Sequence, residues 1–264
     1  MRGNLIYIHV ENISHMALTY GVTTNDFVTA MRAMNGLPQN LLLLSPVDAN
    51  QEIDINTGFN IVTGQNSVHD YLSNKQNVNM RWLDFDDQHD LEQLTPIEIA
   101  GMLYLGHAYM HMQSPFYYKL QNQYAFLTLP NGALKVYYRH MKQLDRVLAY
   151  SFTSHVATAF REKRRLFFLQ RPLKFALFPF ELSQKLHVLY SDGAVFNFDG
   201  MKVKNGQVTV PILVAPDTIY QVKWHEPTML VERSRPAANL IYSLKSQEWK
   251  LEVTDQELFT TQYL

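Results

Sequence analysis

Residues 95–113 read TPIEIAGMLYLGHAYMHMQ. The start of this stretch predicts a helix N-terminus, because Thr95 can cap the first turn, proline suits the first helical position and Glu98 can close a capping box. Apolar residues then follow on nearly every side, and we expect the helix to continue to about Gln113. A helix that is apolar all round is typical of a protein interior, so the sequence predicts that this one is buried.

The segments around this helix predict an α+β protein. Leu41–Leu44 is a continuous apolar run, which indicates a strand covered on both faces and hence a parallel or mixed sheet. Apolar residues at three- and four-residue steps from Met141 to Phe160 predict a long helix. After about residue 181, short β-like runs separated by Ser-Asp-Gly, Asp-Gly and Asn-Gly turns predict an antiparallel meander.

We therefore expect a mixed sheet with packed helices in the N-terminal part and a mainly antiparallel β-meander in the C-terminal part. The predicted division is a helix-rich α/β lobe at residues 1–175 and a β-rich lobe at residues 176–264, closely packed on the first. The prolines between Arg171 and Pro179 mark the boundary between the two lobes.

Composition excludes several classes of site. The chain of 264 residues has no cysteine, which excludes disulfides, thiolate metal sites, iron–sulfur clusters and thiol nucleophiles. The 23 Lys and Arg residues balance 24 Asp and Glu residues, which argues against a nonspecific nucleic-acid binder but leaves room for a local basic patch. No apolar stretch reaches the ~18 residues of a membrane-spanning helix. We expect a soluble, cytoplasmic protein without a membrane partner.

Two histidines suggest a metal site. His107 and His111 are four residues apart, so on a helix they lie about 40° apart around the axis and can reach one ion. An acidic run before the helix offers carboxylates that could join them in a hydrolytic metal centre: Asp84, Asp86, Asp87 and Asp90. Against this hypothesis, the pair lacks the glutamate of an H-E-x-x-H motif. Core histidines and acids near a helix N-terminus also explain both features structurally.

A basic stretch at residues 161–174 suggests anion binding. It contains six basic residues and one acidic residue, interleaved with phenylalanines, a pattern that can hold phosphates and stack on bases. The predicted anion-binding residues are Arg161, Lys163, Arg164, Arg165 and Arg171. Cations also suit the C-terminal end of a helix, which explains part of the run structurally.

The acidic and basic stretches also suggest an oligomer. No Lys or Arg occurs between Arg81 and Lys119, so the acidic surface around the helix start and the basic surface at 161–174 could be partners. Such a contact could form within a chain or across a symmetric homodimer.

No motif names a reaction or a cofactor: the chain has no G-x-G-x-x-G, no G-x-S-x-G and no kinase signature. The first interpretation is therefore a non-catalytic intracellular protein that binds a partner or a small ligand. Two alternatives remain open: a metal-dependent hydrolase using His107, His111 and a nearby aspartate, and a phosphate- or nucleic-acid-binding protein using the basic stretch. Whether the protein is an enzyme stays open at this point.

Overall fold

The structure, a computed structural model, describes residues 4–45, 51–74, 79–163, 174–215 and 227–260. The chain forms two compact units. Unit 1 comprises Met1–Val10, Leu18–Val22 and Asp145–Leu264, and unit 2 comprises Glu11–Ala17 and Thr23–Leu144. The division differs from the predicted lobes of 1–175 and 176–264, because the chain changes unit near the start of the long helix and the prolines used for the prediction follow that helix.

The described residues contain twelve strands and eight helices. The strands are β1 (Leu5–Glu11), β2 (Met16–Tyr20), β3 (Asn40–Leu43), β4 (Asn60–Thr63), β5 (Arg81–Phe85), β6 (Tyr124–Thr128), β7 (Leu134–Tyr138), β8 (Ala194–Asn197), β9 (Lys202–Lys204), β10 (Gln207–Val214), β11 (Arg235–Ser243) and β12 (Glu248–Val253). The helices are α1 (Thr24–Ala33), α2 (Gln65–Ser73), α3 (His89–Glu92), α4 (Pro96–Ala108), α5 (Lys142–Lys163), α6 (Phe180–Tyr190), α7 (Pro227–Arg233) and α8 (Glu257–Thr260). Among these helices, none is both long enough and apolar enough to cross a bilayer.

The α+β class predicted from the sequence is confirmed, with antiparallel strands in both units. In unit 2 the strand order is β7-β6-β5-β3-β4. Strand β3 pairs antiparallel with β4 on one side and with β5 on the other. The apolar run at Leu41–Leu44 is thus buried in antiparallel pairing, and not in the parallel or mixed sheet predicted from it. A strand covered on both faces has the same continuous apolar pattern in either arrangement.

Aromatic side chains fill the core of unit 2. The ring of Phe27, from α1, lies 5.2–5.8 Å from the rings of Tyr124, Phe126 and Trp82. Trp82 and Phe126 are direct cross-strand partners, and their rings stack at 4.9 Å. All four side chains are buried. Cross-strand aromatic pairs of this kind fix the register of β5 against β6 and hold α1 on the sheet.

Unit 1 has its own antiparallel strands, in the order β12-β11-β10-β8-β1 with β9 also paired to β10. Phe152 of α5 packs 4.3 Å from Phe196 and 5.1 Å from Phe178. Helix α6 occupies residues that we predicted to be part of a β-meander. That prediction is wrong before residue 191, because the leucines at 182, 186 and 189 follow helical spacing. The later strands do pair as an antiparallel sheet.

Strand β12 lies at the end of this strand order. Its outer positions, Glu248, Lys250 and Glu252, are exposed and alternate in charge. Trp249, between them, is buried, and its Nε1 donates a hydrogen bond to the carbonyl of Ala176 at 2.9 Å. The strand therefore contributes one side chain to the core while charged groups line its other face.

A glycine sets the distance between α4 and the rest of unit 2. A Cβ atom added at Gly106 would lie 2.5 Å from the carbonyl oxygen of Leu44 and 2.7 Å from its Cβ. Leu44 directly follows β3 and is itself buried. Because both atoms belong to fixed parts of the fold, the helix can pack this closely only where residue 106 has no side chain.

We expect Gly106→Ala to lower the free energy of unfolding by about 1–3 kcal/mol, because the clash with Leu44 outweighs the ~1 kcal/mol gain in helix propensity. Urea denaturation followed by circular dichroism measures the change. Gly36→Ala is the matched control, since a Cβ there would meet its nearest neighbour at 3.7 Å, an ordinary contact. Equal stability of the two variants would contradict the close packing of α4.

Candidate functional site

Helix α4 begins as its sequence predicts. Thr95 Oγ1 accepts a hydrogen bond from the backbone N–H of Glu98 at 3.3 Å, and Glu98 Oε2 accepts one from the backbone N–H of Thr95 at 2.7 Å. These two bonds form the predicted capping box, with Pro96 at the first helical position. The start of the helix is therefore fixed by local contacts alone.

The helix ends at Ala108, five residues before the predicted end at Gln113. Tyr109 adopts a left-handed conformation with φ of 58°, and its N–H donates to the carbonyl of Leu105. Two cations bind the last carbonyls: Arg81 Nη1 donates to Gly106 at 2.8 Å, and Lys135 Nζ donates to Tyr109 at 2.7 Å. Positive charge at the negative end of the helix dipole stabilises this termination.

Only one face of α4 is buried. The buried residues are Gly101, Met102, Leu105 and Gly106. On the opposite face, Ile97 is 74% exposed, Leu103 56% and Tyr104 42%. The prediction that this apolar helix lies in the interior is therefore wrong, since its outer face is in contact with solvent.

A cavity of about 420 Å³ adjoins the outer face of α4. Its lining comprises Ile97, Glu98, Gly101, Met112, Gln113, Ser114, Phe116, Tyr117 and Tyr118. Met112 and Tyr118 are also exposed, at 56% and 92%. Burial, together with the charge of Glu98, raises the pKa of the Tyr117 phenol to about 12, so it stays neutral at pH 7. Through Met112 and Tyr118, the cavity continues the apolar surface beyond the helix.

Acidic groups lie at the N-terminal end of this surface. Asp86, Asp87 and Glu92 are exposed. Lys119 is already engaged by Glu98 at 2.8 Å and by the carbonyl of Gln93 at 2.6 Å. Burial opposes ionisation of Glu98, but hydrogen bonds from Lys119 and from Thr95 hold its pKa below the ordinary value. The result is an apolar surface with negative charge at one end. We call the outer face of α4, the adjoining cavity and these acids the α4 surface.

The predicted metal ligands are not brought into one group. His107 is exposed in the last turn of α4, whereas His111 lies beyond the end of the helix, half-buried, with its ring 5.3 Å from that of Tyr137. Burial and the charge of Lys135 lower the pKa of His111. Within the described ranges, no group of three or more His, Asp or Glu side chains is arranged to hold a metal ion.

The four aspartates have separate roles. Asp84 is buried and accepts backbone hydrogen bonds from Gln123 at 2.9 Å and from Tyr124 at 2.7 Å. Asp86 and Asp87 are exposed, and Asp90 Oδ2 accepts from the backbone N–H of Asp87 at 3.3 Å. Asp84 therefore holds β6 beside β5, and the other three lie near α3.

Most of the predicted anion-binding residues lie outside the described part of the chain. Arg161 is exposed near the end of α5. Lys163 is the last residue of that helix, and Arg164, Arg165 and Arg171 fall in the range 164–173, which the structure does not describe. Anion binding by this stretch stays a prediction.

One cluster in unit 1 was missed by the sequence reasoning. Buried Asp145, in the first turn of α5, accepts at Oδ1 a hydrogen bond from Ser183 Oγ at 2.5 Å and one from His187 Nε2 at 2.6 Å. Ser183 and His187 are four residues apart on α6, so both reach the same carboxyl group. Within this cluster the serine donates to the aspartate and not to the histidine, so the histidine does not activate it as a nucleophile. The cluster fastens α6 to α5.

Comparison with models of known protein families, with curated proteins and with solved structures found no match for the chain.

We expect His187→Ala to lower the free energy of unfolding by about 1–3 kcal/mol, because the buried carboxyl group of Asp145 loses a short hydrogen bond. His89→Ala is the control, since that side chain is 81% exposed and we expect a change below about 0.5 kcal/mol. Thermal denaturation of both variants measures the difference. If His187→Ala lost no more stability than His89→Ala, the result would contradict the role of this cluster in holding α6 on α5.

Burial raises the pKa of Asp84 from 3.8 to about 7, against the opposing effect of its two backbone hydrogen bonds. Between these pH values the folded chain keeps a proton that the unfolded chain has released, so stability should fall as pH rises through this window. We expect the decrease to be on the order of 1–4 kcal/mol relative to Asp84→Asn, which cannot titrate. Urea denaturation at a series of pH values measures it. A constant difference between the two proteins from pH ~4 to ~7 would contradict the raised pKa.

Proposed function

We propose that this protein binds another polypeptide and that the α4 surface is the contact site. One observation supports this most strongly: α4 carries large apolar side chains on the face that its own unit does not cover. Ile97, Leu103 and Tyr104 lie along this face, and Tyr118 and Met112 continue it at the cavity. Contiguous apolar surface of this kind is typical of interaction sites.

A partner at this site would cover the exposed apolar side chains of α4 and of the cavity. Burying a side chain of the size of leucine or isoleucine is worth about 1.5–3 kcal/mol, so the exposed side chains on α4 and at the cavity could supply a large part of a binding free energy. The cavity, at about 420 Å³, is large enough to accept an aliphatic or aromatic side chain as an anchor. Neutral Tyr117 and the paired Glu98 leave it without an uncompensated charge.

The charges of the α4 surface define the partner. Asp86, Asp87 and Glu92 are exposed at one end, and no Lys or Arg lies in the sequence between Arg81 and Lys119. Like charges on a partner would be repelled and opposite charges would be attracted. We therefore propose a polypeptide that combines aliphatic or aromatic anchors with lysine or arginine. A cytosolic setting, suggested by the absence of cysteine, stays a prediction.

Selection of a random phage-displayed peptide library tests the α4 surface directly. We expect peptides enriched on the natural chain to lose at least ~10-fold in binding when Ile97→Glu and Leu103→Glu are combined, because a carboxylate would have to be desolvated in the contact. Both positions are exposed, so circular dichroism should show an unchanged fold.

Val203→Glu is the matched control, since this strand residue is also an exposed apolar side chain but belongs to β9 in unit 1. It should leave peptide binding unchanged. Enrichment that is equal on the natural chain and on the α4 double variant would overturn the proposed function.

A further inference from the structure

The chain itself contains a segment with the chemistry expected of the partner. Residues 161–175 read REKRRLFFLQRPLKF. Arginines and a lysine dominate its first five residues, four large apolar residues follow, and further cations come after them. Basic side chains beside consecutive aliphatic and aromatic ones are what the α4 surface would accommodate.

The described residues at the two ends of this segment lie close together. The rings of Phe160 and Phe175 lie 6.0 Å apart, and the Phe175 ring also lies 5.5 Å from that of Tyr242. The described residues on either side of the range 164–173 are therefore close together in unit 1. Arg161, near the end of α5, and Lys174, which follows the range that is not described, are both exposed. Ten residues separate the two described ends, and a chain of that length can span up to ~33 Å when extended.

Charge and apolar character are complementary between the two elements. The α4 surface combines the exposed acids Asp86, Asp87 and Glu92, which precede the helix in the chain, with the exposed apolar side chains of the helix. The segment offers arginines beside leucines and phenylalanines, and it contains six of the 23 basic residues of the chain within residues 161–174. Complementary charges of this kind give an interface its specificity and its rate of association, while apolar anchors give it affinity.

We propose that the occupant of the α4 surface is the segment 161–175 of a second copy of the chain. This inference rests on the proposed function and names its partner. Each copy has one α4 surface and one segment, and a dimer in which each copy binds the segment of the other has two-fold symmetry. The protein is then a homodimer in which each copy supplies the basic, apolar segment that the other binds.

A synthetic peptide of residues 161–175, labelled with a fluorophore, tests the contact in isolation. The receptor is the full chain carrying Arg164→Glu and Arg165→Glu, so that its own segment does not compete. We expect anisotropy to report saturable binding that weakens at least ~10-fold when Ile97→Glu and Leu103→Glu are added to the receptor. Val203→Glu should leave binding unchanged. Binding should also weaken as salt rises from about 50 to about 500 mM, because the charges are screened.

A charge exchange tests the pairing of the two elements. Asp86→Lys with Glu92→Lys in the receptor should weaken binding of the natural peptide, and a peptide with Arg164→Glu and Arg165→Glu should bind that receptor better than it binds the unmodified one. A scrambled peptide that binds as well as the natural one would overturn the inference, as would a natural peptide that does not bind at all.

Sedimentation equilibrium tests the dimer. The natural chain should self-associate, and Arg164→Glu with Arg165→Glu, or Ile97→Glu with Leu103→Glu, should each give a monomer. A natural chain that is monomeric at every concentration overturns the inference. If library peptides still bind the α4 surface in that case, the proposed function stands and only the identity of the partner is wrong.

Discussion

The close approach of α4 to Leu44 determines much of what unit 2 presents to solvent. Because Gly106 has no side chain, the helix backbone lies against the end of β3, and only a narrow stripe of α4 is enclosed. Gly101 contributes to the same stripe, with the hydroxyl of Tyr117 nearby. Met102 and Leu105 fill this stripe beside the two glycines. The other large apolar residues of the helix lie on the outer face, where Ile97 and Leu103 are part of the α4 surface.

The parts of the fold that could be predicted from the sequence depend on neighbours along the chain. The capping box at Thr95 is present as predicted, because it needs only residues within one helical turn. The end of α4 could not be predicted, since it involves Arg81 from β5 and Lys135 from β7. Dependence on distant parts of the chain also explains why the prediction that α4 is buried was wrong. The apolar pattern of a helix shows which of its faces could be buried. It does not show which of them other elements of the fold cover.

The candidate site shows the same limit. His107 and His111 have the spacing of a metal pair only if one helix contains both, and the left-handed residue Tyr109 separates them. The cluster of Asp145, Ser183 and His187 was missed because residues after 181 were interpreted as strands. Because α6 is a helix, Ser183 and His187, which are four residues apart, lie on the same side of it. Their common acceptor lies 38 residues earlier than Ser183, a distance along the chain that no local pattern reveals.

Strand β12 has a consequence for how the protein behaves when it is crowded. A terminal strand with unpaired backbone groups can recruit a strand from a neighbouring molecule and start the growth of fibres. Here Glu248, Lys250 and Glu252 place alternating charges along the exposed side, so an identical strand aligned in register would set like charges opposite one another. Repulsion between these charges disfavours edge-to-edge pairing of β12 with a second copy of the chain, even though the chain also exposes large apolar side chains on α4.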